Sequence, residues 1–368
     1  MDYKKTAFFS ALNYPGYKVN KRIVVFESDD WGSVRIPSKD IYNKLLAKGI
    51  EVDNCPYSKY DCLESESDYY NLFETLSKHK DHSGNYPIFT LNFLSANPDF
   101  EKIRLNNFKE YYFESFTKTY TRQKSNAFRA LQIGLDNRLI HPQSHGREHL
   151  NVAMWLNLLK SNKDIRTAFD HDCFALSFKN SKSINLPYLQ AFKPYGINYF
   201  DEHKNIVNTG LKLFFDTFKF NSETFIAPGY VRYNSLEEYL SQKGVIGIQG
   251  LYFQMNSVIN GKEKKSFRIF KLRNQYNQIQ LVRNCFFEPS TNERINWVDE
   301  CLSQIGIAFK YRKPAIISTH RLNYIGGLDL SNRSKNLTLL SNLIKGILLK
   351  WPDVEFQNNS TVVKNLIN

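Results

Sequence analysis

Asp29 and Asp30 stand side by side at the end of an apolar run, in VVFESDDWG. Two adjacent carboxylates repel, and a strand end gives little room to separate them. A cation or a proton that takes up the charge makes the pair tolerable. The segment SHGREH offers imidazoles to share a cation, His145 and His149, four residues apart. On one helical turn that spacing points both rings the same way, so both reach one ion. His141 stands four residues before His145, so the pair is either 145 with 149 or 141 with 145. One aspartate with two histidines makes a metal site with open positions, and a second aspartate beside it can serve as a base. The plainer reading makes these two helix-terminal histidines hydrogen-bonded to neighbours. Trp31, next to the aspartates, either stacks on a sugar ring or packs in the core.

Short apolar runs alternate with helical patterns, and these must position the chemistry. Strands are predicted at 22–28, 87–94, 138–144, 224–228, 245–250, 279–287 and 315–320, with VEFQN as a last one. Helices are predicted in SKDIYNKLLAKG, with Ser38 as N-cap and Gly49 as stop, in YYNLFETLSKH, in HLNVAMWLNLLK and over 336–351. Alternation of this kind implies parallel strands with crossover helices. Polar residues recur at the strand ends: Asp29, Asp30, Asn92, His145, Arg283 and His320. Barrels of parallel strands gather their sites at the C-terminal strand ends. The chain is read as one domain over 1–368, with a core over 20–357 and insertions near 50–85, 98–130 and 250–275. No linker, repeat or low-complexity tract marks a boundary.

The bulk properties exclude some functions. No stretch approaches the roughly 18–20 apolar residues of a membrane span, and the N-terminus carries only a broken apolar run, FFSAL. The expectation is a cytoplasmic protein without a signal peptide. Five cysteines, Cys55, Cys62, Cys173, Cys285 and Cys301, form no CxxC pair and are read as free thiols. The net charge is +13, but the lysines are spread along the chain, with KEKK at 262–265 the densest patch. That pattern favours a solvated surface over a nucleic-acid stripe.

The order of the motifs resembles the polysaccharide deacetylase superfamily (NodB homology, carbohydrate esterase family 4). FESDDWG resembles its first motif and SHGREH its second. APGY at 227–230 resembles its third, and IISTHR its last. The resemblance spans residues 23 to 321. It implies a distorted (β/α) barrel of about seven parallel strands. It makes Asp29 the general base, Asp30, His145 and His149 the metal ligands, and His320 the general acid. Tyr230 would line the groove, its backbone amide helping to hold an oxyanion. Zinc suits an Asp-His-His set best. The arginine of the third motif is absent, with Ile226 or its neighbours in its place, and Arg283 or Arg35 would replace it. Trp31, Tyr230 and Arg283 would meet the substrate. Glu288, or Asp299 with Trp297, would accompany the acid histidine.

The expected function is removal of an acetyl group from an N- or O-acetylated sugar or glycan. The alternative is a non-catalytic protein that binds a glycan or a partner on the same scaffold. A glycosidase fits poorly, because its two carboxylates face each other across a sugar at about 5–9.5 Å.

Overall fold

The computed structural model describes residues 3–176, 187–257 and 263–367. Eight parallel strands form its centre: β1 (Ile23–Trp31), β2 (Phe89–Phe93), β3 (Ile140–Ser144), β4 (Thr224–Phe225), β5 (Gly247–Leu251), β6 (Ile279–Arg283), β7 (Cys285–Phe286) and β8 (Ala315–His320). Their spatial order is β6-β5-β4-β3-β2-β1-β8-β7. β6 and β7 are consecutive pieces of one run, parted at Asn284. β6 pairs with β5 and β7 pairs with β8, so this run closes the sheet into a barrel. Asn284 keeps the closure tied to β8. Its N–H donates to Ile316 O at 3.1 Å, and its Oδ1 accepts from Ile316 N at 2.8 Å. The eight strands thus occupy seven positions, as expected. A short strand, Glu355–Phe356, pairs with the start of β1.

The core lies between this barrel and its outer helices. Phe26 of β1 stacks on Phe89 of β2, with ring centroids 4.8 Å apart. The helix Leu330–Lys350 buries Leu337, Leu340, Ile344 and Ile347, a stripe at three- and four-residue spacing. Each such side chain contributes about 1.5–3 kcal/mol on burial. Ser38 caps the helix Lys39–Ala47 through Ile41 N, and Ser65 and Asp68 form a capping box at Glu66–Ser77. Several helices were not foreseen in the sequence, among them Tyr3–Asn13, Ala127–Asp136, the 20-residue Tyr199–Phe218, Asn234–Gln242 and Trp297–Lys310.

The expected insertions take definite forms. Of the expected insertion near 50–85, the 50–65 stretch reaches the mouth of the barrel and holds a single helical turn, Pro56–Lys59, and the rest carries the helix Glu66–Ser77. In the 98–130 region an antiparallel pair joins Ala96–Pro98 to Phe113–Ser115. In the 250–275 region the strands Phe253–Ser257 and Glu263–Phe267 form a hairpin beside Val231–Arg232. Of the basic KEKK patch, Lys262 lies outside the described residues. Lys264 and Lys265 are exposed on the hairpin. All five cysteines are buried free thiols. Among the described residues, no helix is long and apolar enough to cross a membrane.

Candidate active site

The C-terminal end of β1 departs from a regular strand. Successive side chains on a strand point to opposite faces, so Asp29 and Asp30 would ordinarily diverge. The pairing of β1 with β2 slips between Ser28 and Trp31, and Asp30 has φ +77. This bulge turns both carboxylates toward the mouth. Gly32 follows at φ +82, where a Cβ would lie 2.6 Å from Leu94 O. Only glycine fits there.

The same bulge redirects Trp31, which is fully buried. Its Nε1 donates to Ser28 Oγ at 2.9 Å, and its ring stacks on Tyr69 at 5.3 Å. The expectation that Trp31 meets a sugar is therefore corrected: Trp31 is a core residue.

Asp30, His145 and His149 converge, with one ligand atom from each inside a 4.8 Å span. His145 follows β3, and His149 lies four residues on in a loop, not on a helix. The helix begins only at Val152, capped by Asn151. Gly146, at φ +98, makes the turn that folds the two rings toward each other; their centroids are 5.4 Å apart. His141 is elsewhere. Its Nε2 meets Ser360 Oγ at 2.9 Å, and its ring stacks on Phe220.

The donor chemistry of this trio fits a divalent cation. The Ile226 carbonyl can only accept, so His145 Nδ1–H donates to it at 3.0 Å. In the neutral ring that leaves Nε2 a bare lone pair. This nitrogen lies 3.4 Å from Asp30 Oδ1. Asp30 Oδ1 is buried without a hydrogen-bond partner. His149 Nε2 is 3.7 Å from the same oxygen. Burial pushes the His149 pKa down to about 3, against the pull of Asp30, so this ring is neutral at pH 7. One carboxylate and two imidazoles are ligands of the zinc type. Arg35 orients Asp30 through Oδ2 at 3.1 Å and pairs with Asp61 at 2.8 Å. Burial disfavours the Asp30 charge, but Arg35 and then the histidines outweigh it. They hold the carboxyl well below its usual range.

Asp29 has different partners. Arg283 clamps it with two hydrogen bonds of 2.6 Å, one to each oxygen. Asn92 donates to Oδ1 at 2.8 Å. Three of the four acceptor positions are thereby filled, and the remaining lone pair on Oδ2 is open on the side of His320 Nε2, 3.8 Å away. Burial disfavours the charge, but Arg283, His145 and His320 lower the pKa overall. Arg283 also bonds Glu27 and donates to Tyr230 Oη at 2.9 Å. Burial raises the Glu27 pKa and Arg283 offsets this only in part. Asp29 therefore holds the charge and Glu27 takes a proton more readily. Arg283 thus lies against Asp29, on the side away from the open lone pair. It is fully buried.

His320 ends β8. Its Nδ1–H donates to Glu288 Oε1 at 2.6 Å, and Asn323 fixes the other Glu288 oxygen at 2.9 Å. Burial lowers the His320 pKa, but Glu288, Asp29 and Asp30 raise it to about 9. The ring is cationic at pH 7. Asp299 and Trp297 sit at the start of the helix Trp297–Lys310, bonded to Asn296 and Asn292. Of Glu288, Asp299 and Trp297, Glu288 is the one bonded to His320.

Tyr230 lines the pocket, at φ +58 in the turn Pro228–Tyr230. Its N–H donates to Ala227 O at 2.9 Å. The expectation that this amide holds an oxyanion is corrected, because the turn already uses it. Tyr57 and Leu189 complete a cavity of about 220 Å³ with these residues. Tyr57 carried no signal in the sequence. It sits in the short turn Pro56–Lys59, and the stretch after it is tied down by Arg35 and Arg321. Arg321 Nε donates to Asp61 at 2.8 Å and Nη1 to Glu64 at 2.5 Å.

No protein-family model matches the chain, and no curated protein matches it. Solved structures do match. Polysaccharide deacetylases are among them. A protein of Mycobacterium smegmatis assigned to that class is 10% identical, with TM-score 0.44 over 96% of this chain and 94% of its own. PuuE allantoinase is 9% identical, with TM-score 0.44 over 95% and 92%. A 4-α-glucanotransferase from Thermococcus litoralis is 7% identical, with TM-score 0.46 over 94% of this chain and 40% of its own.

Proposed function

We propose that the protein is a metal-dependent hydrolase that removes an acetyl group from an N- or O-acetylated sugar or glycan. The observation that carries this reading is one pocket holding three prepared parts. They are a carboxylate kept ionised by Arg283, an Asp30–His145–His149 donor set, and a cationic His320. The motif order in the sequence supports the same assignment.

A divalent cation held by Asp30, His145 and His149, zinc by donor type, supplies Lewis acidity toward a carbonyl oxygen and a water. The chain supplies the proton transfers. Asp29 Oδ2 takes the proton of the attacking water on its open lone pair. Arg283 and Asn92 fix the carboxylate so that this lone pair faces the pocket. His320 Nε2–H then donates to the departing amine or alkoxide, and Glu288 keeps the ring charged until it does. The lowered pKa keeps Asp29 ionised and the raised pKa keeps His320 protonated near neutrality, so each group starts in the state its transfer needs.

The test is acetate release from a panel of N- and O-acetylated mono- and oligosaccharides by zinc-loaded protein. Asp29→Asn is the control for contaminating hydrolase. Release that depends on Asp29 is expected. Binding of a glycan without release, and unaffected in Asp29→Asn, would instead identify a binding protein.

A further inference from the structure

The proposed hydrolysis develops negative charge on the acyl oxygen, and a hydrogen-bond donor beside the cation would stabilise it further. The Tyr230 amide is committed to Ala227 O, and His145 Nδ1–H to Ile226 O. Arg283 spends both terminal nitrogens on Asp29, and Arg35 Nη2 is on Asp30. His320 Nε2–H is needed for the leaving group.

Tyr57 is placed differently. It lines the same cavity as Asp29, Asp30, His145, His149 and His320. Its ring meets the His320 ring edge-on at 5.1 Å, and the Arg35 guanidinium lies 5.4 Å from its centroid. Its hydroxyl is 3.4 Å from His320 Nδ1. That nitrogen carries a proton already given to Glu288 at 2.6 Å, so it has no lone pair for the tyrosine O–H. Among the described residues no other acceptor is placed for this proton. Burial, with Glu288 and Asp30 nearby, pushes the Tyr57 phenol well above its ordinary value, so the hydroxyl stays a donor through the neutral range. The backbone of this stretch is anchored, because Asp61 joins Arg35 and Arg321.

We infer that the Tyr57 hydroxyl donates a hydrogen bond to the substrate's acyl oxygen as charge develops there, in the role the Tyr230 amide cannot fill. This rests on the hydrolase reading above. Tyr57 is then a catalytic residue that belongs to the inserted 50–65 stretch and not to the barrel.

The test is Tyr57→Phe, which keeps the ring contacts and removes only the hydroxyl. Two readouts separate this inference from the hydrolase reading. In the zinc-loaded protein, kcat should fall about 10²–10³-fold, as for loss of an oxyanion donor, with KM, zinc content and the alkaline limb of the pH profile unchanged. Methylphosphonate, a tetrahedral anion, should bind about ten- to a hundredfold more weakly to the variant by calorimetry, as for loss of a hydrogen bond to a charged group. Planar acetate should lose much less. Equal methylphosphonate affinity in the two proteins, or none in the wild type, overturns the inference. Loss of zinc or of folding in Tyr57→Phe makes the residue structural and overturns it too. A moved alkaline limb does the same, since Tyr57 would then act through His320. If wild type cleaves no acetylated sugar while the methylphosphonate difference stands, the hydrolase reading fails and the donor role survives.

Discussion

Replacing Arg283 by Met removes the guanidinium that pairs with two buried carboxylates, Glu27 and Asp29. Arg283, Glu27 and Asp29 are all essentially inaccessible to solvent. Breaking a buried pair from one side costs about 3–5 kcal/mol, because the remaining charge is left unpaired. Unfolding entropy is about 2.1 cal/mol/K per residue. Over 368 residues that is about 0.8 kcal/mol/K, so the loss lowers Tm by about 4–6 °C.

The pH dependence gives the sharper signature. Asp29 has a folded pKa below its unfolded value. The stability it contributes is present above the ordinary carboxylate range and is lost as pH falls through the depressed value. In Arg283→Met the depression disappears, and Asp29 and Glu27 protonate at higher pH than before. The deficit against wild type should therefore be largest at neutral and alkaline pH. It should shrink toward about pH 4, where both carboxylates of the variant carry protons. Thermal unfolding of metal-free wild type and variant from pH 4 to 8 measures this directly. The acidic limb of the rate profile should also move up in the variant, since the base titrates higher. A Tm difference that stays constant across this range, or a variant as stable as wild type at pH 8, would refute the clamp.

Other changes separate the remaining roles. Asp29→Asn should bind zinc as wild type does and lose about 10²–10⁴ in rate; loss of zinc in this variant would make Asp29 a ligand. Glu288→Gln should drop the His320 pKa in metal-free protein from about 9 toward its ordinary value of about 6.5. Stability from the raised pKa is full below the unfolded value and fades as pH rises through about 9, so the variant should lose stability mainly at and below pH 7. An unmoved His320 titration by NMR would sink the pairing. Trp31→Ala should cost about 3–5 kcal/mol, the usual range for a buried aromatic. It should leave KM for sugars unchanged in the fraction that stays folded, and a selective rise in KM would return Trp31 to the groove.

The barrel was largely legible because its strands are short, apolar and separated by polar turns. β8 matched the sequence reading end to end. The polar residues closing those runs, Asp29, Asn92, Arg283 and His320, do meet across the mouth. Three things were not legible. The bulge at Asp30 was hidden, because a regular strand would have put Asp29 and Trp31 on one face, and only the positive φ separates them. The loop at His149 was read as helix, although Asn151 is a good N-cap and marks where the helix starts. The stretch after Tyr57 is tied down by the pair of Arg321 and Asp61, 260 residues apart, and no local pattern encodes such a contact. The helix Tyr199–Phe218 did have a readable stripe, His203, Ile206, Val207, Gly210, Phe214 and Phe218, all buried.

The central claim is that Asp30, His145 and His149 hold one divalent cation beside a base that does not bind it. Crystals grown with zinc and measured on both sides of the zinc absorption edge test this most directly. The account predicts one strong anomalous peak within bonding distance of an Asp30 oxygen and one nitrogen each of His145 and His149, with His141 remote from it. A peak held by Asp29, a peak elsewhere in the molecule, or no peak under saturating zinc would contradict it.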